Sequence, residues 1–203
     1  MHKDNLKARL AYSTGSQLSY VTLGAMLATS MGVMGGAMQI AAHALGKMTL
    51  FMCAGAIYTA HHKTLVSEMR GLGRVMPFTF GAFFLGAMSI IGLPPMAGSW
   101  PKFFLMLGAA DAGQLAIIAV LMISSILNVI YLLSIPVQAF YMNPAVGDAK
   151  PQGAGGASIQ WGALKEAPIL TLAPPLFTAT GAFLLFFFAD PLYNYLSPLI
   201  GGQ

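Results

Sequence analysis

Three titratable side chains lie inside otherwise apolar runs: His43 and Lys47, four residues apart, and Lys102, directly after a proline. His43 and Lys47 would share one face of a helix. An imidazole stacked on an ammonium is what a proton-relay surface needs, since burial and a neighbouring charge can move such groups across physiological pH. The same pair would also serve as a satisfied polar contact between helices, and the sequence alone allows both. Lys102 is the sharper case, because a charge at membrane depth costs several kcal/mol. It is a functional candidate unless it snorkels from a helix end to the lipid headgroups.

The stretch that carries Lys102 is PFTFGAFFLGAMSIIGLPPMAGSWPKFFLMLGAA, residues 77–110. Pro77 to Ile91 is apolar apart from Thr79 and Ser89, and Phe103 to Ala110 is apolar again. Between them lie Gly92, Pro94, Pro95, Gly98 and Pro101. Spanning a hydrocarbon core takes roughly 20 helical residues, so the second run is too short to cross alone. One crossing made of two half-helices is expected, with Pro94 and Pro95 breaking the first half and Pro101 opening the second. Such broken backbone is tolerated at depth only where protein buries it or a wet cavity meets it. Lys102 would then sit near mid-membrane at a helix N-terminus, where the dipole disfavours an added positive charge.

Composition supports a membrane setting. The 203 residues are 57% hydrophobic and 8% charged, against about 25% charged in a soluble domain. The net charge of +4 resides in short basic segments rather than in a stripe with interleaved aromatics, so nucleic-acid binding is set aside. Cys53 is the single cysteine, which excludes an internal disulfide and a cysteine metal cluster. His61 and His62 lack further ligands in the sequence, and no metal site is expected. The fourteen methionines fit lipid-facing and core packing. No motif for a nicotinamide, flavin, quinone or iron–sulfur cluster is present, so neither a cofactor nor catalytic chemistry is expected.

Apolar runs place the remaining spans at Leu10 to Gly32, Met34 to Ala60, Leu115 to Tyr141 and Pro168 to Ala189. On the first, Ser13, Ser16, Gln17 and Tyr20 fall at helical spacing and form one polar stripe, either lining a pathway or bonding a neighbouring helix. Asn128 and Pro136 interrupt the long run at 115–141. Lys and Arg concentrate before residue 10, in the loop 61–77 and in the segment 143–167. The positive-inside rule makes those segments cytoplasmic. The expectation is an all-α, polytopic transmembrane helical bundle of about five crossings, one of them a discontinuous helix. Its organisation would be 1–142 membrane bundle, 143–167 cytoplasmic linker, and 168–203 final transmembrane helix with an interfacial tail.

Several ordered motifs resemble a known family. DNLKARLAYSTGSQLSY, HALGKMTLF followed by a basic loop with MRGLGR, and GLPPMAGSWPKFFLML resemble the proton-conducting membrane subunits of Mrp-type cation/proton antiporters and respiratory complex I. KEAPILTLAPPLFTATGAFLLFFFADPLY looks most like the Mrp D-type subunits. The resemblance implies that Lys102 is the terminal proton-exchange lysine on a discontinuous helix, and that His43 and Lys47 belong to a central hydrophilic axis. Gly46 departs from the bulkier residue of many relatives, which bears on local packing.

The resemblance further implies an inverted preceding half with its own broken helix, lysine and paired glutamate. Those residues are absent from this sequence, so a half-subunit is expected, whether a split-gene product, a truncated reading frame or a fragment. Its implied partners are the lipid bilayer, protons, Na+ or K+, and other membrane subunits including a chain supplying the N-terminal half. Its implied setting is a bacterial cytoplasmic (inner) membrane. The implied function is proton translocation in a multisubunit cation/proton antiporter. The alternatives are a proton-pumping subunit of a redox-driven complex, of NADH-quinone oxidoreductase or membrane-bound hydrogenase type, and a non-conducting remnant.

Overall fold

The computed structural model describes residues 3–142 and 164–200. Among them are seven α-helices: α1 (Leu6–Met26), α2 (Ser30–His61), α3 (Pro77–Ile91), α4 (Ser99–Asp111), α5 (Leu115–Tyr141), α6 (Ile169–Phe187) and α7 (Ala189–Ile200), with two short 3-10 turns at Val66–Met69 and Leu72–Arg74. Three of these, α2, α5 and α6, are long and apolar enough to cross a membrane, and α3 is a shorter apolar helix. The chain is a polytopic helical membrane bundle.

Glycine contacts show how the helices run past one another. α1 and α2 form a hairpin around the turn at 27–29. Gly24 packs so closely on Gly32 and Gly36 that an added Cβ would come within 2.9 Å of the Gly36 Cα. The 32-residue α2 is the central staff. Its first turns pack on α4, where Gly35 faces the backbone of Pro101 and Leu105, and its later turns pack on α3, where Gly46 faces Ile90 and Gly86. Thus α3 and α4 lie end to end along one helix, as a single crossing in two halves. A larger side chain at Gly46 would bring its Cβ within 3.0 Å of Ile90, so this glycine sets the α2–α3 spacing.

α6 completes the alternation. The Thr49 hydroxyl donates to Thr178 Oγ1 at 2.8 Å, and the Ala97 N–H of the broken segment donates to the Ala182 carbonyl at 3.0 Å. That second bond satisfies backbone which lipid could not. The core between α2, α3 and α5 contains Leu50, Ile57, Phe80, Phe83, Leu132 and Ile135, each at most 0% exposed. The outward side of α5 presents Val120, Met122, Ile123, Ile126 and Ile130, all well exposed and apolar as lipid contact requires. α7 turns its Leu192, Tyr193 and Leu196 onto Met34, Met38, Trp100 and Phe104, with Tyr193 stacked on Phe104 at 5.6 Å.

Some boundaries and partners differ from the expectations. The first two spans begin four residues earlier than hydropathy suggested, because Asn5 caps α1 by accepting from Ala8 N and Thr29 caps α2 by accepting from Gly32 N. α4 starts at Ser99, making Pro101 its third residue instead of its first. α5 runs through Asn128 and Pro136 without interruption. Arg74, one of the basic residues of the loop 61–77, is 4% exposed and donates to the Phe140 and Tyr141 carbonyls at 2.9 and 3.4 Å. It caps the negative pole of α5. The linker expectation at 143–167 falls mainly on residues outside the described ones.

Apart from Lys47 and Lys102, the described basic residues sit at one end of the bundle: Lys3, Lys7, Arg9, Lys63, Arg70, Arg74 and Lys165. That end is stitched by the Leu6 N–H to the Thr64 carbonyl at 2.9 Å and the Val66 N–H to the Asp4 carbonyl at 2.8 Å. The opposite end holds the turns at 27–29 and 112–114, which carry no lysine or arginine.

Candidate functional site

Lys102 is 8% exposed, one turn into α4. Its side chain does not stay at the N-terminus of its own helix. It reaches back across the break, and Nζ donates to the Ile91 carbonyl and to Ser125 Oγ at 3.1 Å. The Ile91 carbonyl belongs to the last turn of α3, so the ammonium meets the negative pole of one half-helix rather than the positive pole of the other. This corrects the dipole expectation drawn from sequence. Two glycines make the geometry accessible. Gly92 ends α3 at φ +84°, and a Cβ there would meet Lys102 Cδ at 2.7 Å. Gly98 packs against the Ser89 carbonyl oxygen with no room for a Cβ. Pro94 and Pro95 lie in the seven-residue connection at 92–98 between the halves.

A cavity of about 330 Å³ opens beside Lys102, lined in part by Gly92, Ser99, Met106, Leu121 and Ser125. On its other side Lys102 faces α1, where Nζ lies 5.4 Å from the centroid of the Tyr20 ring. The Tyr20 hydroxyl shares a 2.6 Å hydrogen bond with Ser124 Oγ and accepts from Asn128 Nδ2 at 3.4 Å.

Lys47 is 7% exposed on α2. Its Nζ donates to the Leu10 carbonyl at 2.7 Å and to Ser13 Oγ. Between the lysines, Gln39 Nε2 of α2 donates to Gln17 Oε1 of α1 at 3.1 Å. Gln39, His43 and Lys47 recur every four residues and so lie along one α2 face. His43 is half-buried, with its Nδ1 buried and without a protein partner among the described residues. Gln17 Nε2 and Gln39 Oε1 are likewise buried and unpartnered there. Buried polar atoms ordinarily find a partner, so these three leave unused hydrogen-bonding capacity along the α1–α2 seam.

The structure therefore brings Ser13, Gln17 and Tyr20 together with Lys47, Gln39 and Lys102 in that order along α1. Ser13 and Tyr20 are seven residues apart, about 10 Å of helix. Ser16 is exposed and stands outside this line. No hydrogen bond joins Lys47 to Lys102 directly, and among the described residues no carboxylate bonds to either. Sequence reasoning missed Gln39, Ser124 and Ser125, and treated Asn128 only as an interruption. The spacing of Gln39 from His43 was a usable signal; the α5 residues gave none, since serine and asparagine in an apolar helix have no fixed partner.

A helical membrane bundle that buries two lysines, with buried polar side chains ranged between them and a broken helix beside one of them, is an integral membrane protein with charged groups in its interior. The chain belongs to the NADH:quinone oxidoreductase/Mrp antiporter transmembrane family, whose model matches residues 1–128. NADH-quinone oxidoreductase subunit N of Desulforudis audaxviator is 32% identical over 91% of this chain and 37% of its own length. NAD(P)H-quinone oxidoreductase chain 4 3 of Trichormus variabilis is 34% identical over 73% of this chain and 30% of its own length. Among solved structures, the Mrp complex from Dietzia sp. DQ12-45-1b aligns with 95% of this chain and 41% of its own, at a TM-score of 0.78 and 25% identity. Respiratory complex I from Thermus thermophilus shares the fold at a TM-score of 0.52 and 20% identity. The chain thus spans roughly a third of the length of these curated relatives.

Proposed function

We propose that this chain contributes one arm of a proton pathway to a multisubunit monovalent cation/proton antiporter, with Lys102 as the exchanging group and Lys47 and His43 feeding it. The observation that carries the reading is the buried polar line from Lys47 through Ser13, Gln17 and Gln39 to Tyr20 and Lys102. Protons pass along such a line through side chains and intervening water, and Lys102 exchanges them with the cavity at the helix break. The basic end of the bundle faces the cytoplasm, by the positive-inside rule, and the membrane is a bacterial inner membrane. The remaining pathway is supplied by sequence corresponding to the rest of the relatives' length, in the same or another subunit.

The fold likeness to the Mrp complex favours the antiporter assembly. The 32–34% identity to quinone oxidoreductase subunits favours a second reading, in which the same residues serve a redox-driven pump. Reconstitution into proteoliposomes separates them. The antiporter reading expects proton flux driven by a Na+ or K+ gradient from the assembled complex and none from this chain alone. Cation-driven flux from the lone chain rejects the shared-pathway reading. Flux by the complex only when an electron donor and quinone are supplied rejects the antiporter in favour of the pump.

A further inference from the structure

Glu166, three residues before α6, caps α3 through Thr79, 87 residues away in sequence. Its Oε1 accepts from the Phe78 N–H at 2.8 Å and the Thr79 N–H at 3.4 Å, and its Oε2 accepts from the Thr79 hydroxyl at 2.6 Å. These are the orphan donors of the first turn of α3. Pro77 has no N–H, and Phe80 N donates to the Met76 carbonyl at 3.1 Å, so the positive pole of α3 is fully satisfied with a carboxylate at its centre. The neighbouring backbone tightens the attachment, for the Lys165 N–H donates to the Val75 carbonyl at 3.1 Å and His61 Nε2 lies 3.2 Å from the Lys165 carbonyl.

At the other pole of the same helix, the Ile91 carbonyl accepts from Lys102. α3 therefore carries an acidic group at its N-terminus and an ammonium at its C-terminus, separated by 15 residues, or about 22 Å of rigid helix. Each group is complementary to the pole it meets. The axial position of α3 sets the depth of the Ile91 carbonyl, and Glu166, with the Lys165–Val75 backbone bond beside it, ties the start of α3 to the segment that enters α6.

We infer that Glu166 is a positioning residue for Lys102, acting through α3 as a strut between the loop end of the bundle and the intramembrane lysine. Glu166 touches neither the cavity nor the lysine. Its effect is to hold the acceptor carbonyl in register and to place a negative charge on the axis that ends at the ammonium. This rests on the transport reading above, and the test separates the two.

The experiment uses the assembled complex in proteoliposomes, with Glu166→Ala, Glu166→Gln, Glu166→Asp and Lys102→Ala compared at equal incorporated protein. Glu166→Ala is expected to lower proton flux several-fold, because the acceptor carbonyl is no longer held in register, and Glu166→Asp to recover most of it. Glu166→Gln keeps an acceptor but removes the charge. It is expected to move the midpoint of the pH–rate profile by up to about half a unit, the size of one charge removed at about 22 Å at an effective dielectric of about 20, which a purely structural role would leave in place. Wild-type rate and midpoint in both Glu166→Ala and Glu166→Gln, with Lys102→Ala inactive, overturn this inference alone. Should Glu166→Ala fail to assemble, the midpoint of Glu166→Gln decides, a shift supporting the strut and a wild-type value overturning it. Full flux in Lys102→Ala overturns the transport reading and this inference with it.

Discussion

The Lys102 ammonium sits 5.4 Å from the centroid of the Tyr20 ring, so a residue of α1 covers the charge carried by α4. A cation over an aromatic face is stabilised by the ring quadrupole, more so away from water. Tyr20 is held in that pose by its hydroxyl, bonded to Ser124 and Asn128 of α5. One aromatic side chain thus joins three helices at the level of the break.

Replacing Tyr20 tests that junction. Tyr20→Phe keeps the ring over Lys102 but removes the bonds to Ser124 and Asn128, each worth about 1 kcal/mol. Proton flux in the assembled complex is expected to fall a few-fold. Tyr20→Ala, which also uncovers the ammonium, is expected to fall further. Equal flux in both variants and wild type would remove Tyr20 from the pathway.

Lys102 itself is expected to be indispensable. Lys102→Ala should lower flux by about a hundredfold or more, the scale of a lost acid–base group, with assembly near normal. Lys102→Arg should fail as well, because a guanidinium stays protonated and cannot cycle. Near-wild-type flux in both variants identifies a packing lysine and rejects the assignment.

The helix break depends on Gly98. A Cβ at this position runs into the Ser89 carbonyl oxygen, and backbone offers no flexible end to move aside. Gly98→Ala is expected to cost about 1–3 kcal/mol of overpacking strain, read as a lower thermal transition in detergent. Gly55→Ala, where a Cβ inside α2 meets nothing within 4 Å, is the contrasting control and should hold or raise the transition, since alanine favours the helix over glycine by about 0.5–1 kcal/mol.

Topology follows from the alternation of the helices. With Cys53 replaced by alanine, single cysteines at Arg70 and Leu164, both exposed, should react with a membrane-impermeant reagent from one side. A cysteine at Gln114, also exposed, should react only from the other. Labelling of Arg70→Cys and Leu164→Cys from opposite faces would break the five-crossing arrangement.

Much of the architecture was legible in consecutive residues. The start of α3 at Pro77, its end before Gly92, and the full extent of α5 at Leu115–Tyr141 all match what apolar length, proline and glycine dictate locally. A buried lysine beside that break was equally visible, as was the His43–Lys47 face. What remained hidden involves groups far apart in the chain. Lys102 could be placed at a helix start, yet its flexible stem carries the ammonium to the end of the preceding helix, and only the path of the connection at 92–98 decides that. Ser13, Gln17 and Tyr20 face inward while Ser16 faces out, because the direction in which α2 and α5 press on α1 selects the buried face. Glu166 and Arg74 fall in segments outside the spans, and packing makes them caps of helices remote in sequence. Helix length and helix breaks are short-range properties of the backbone and its solvent. Which pole a charge meets is a long-range property, set when helices separated by tens of residues come within hydrogen-bonding reach.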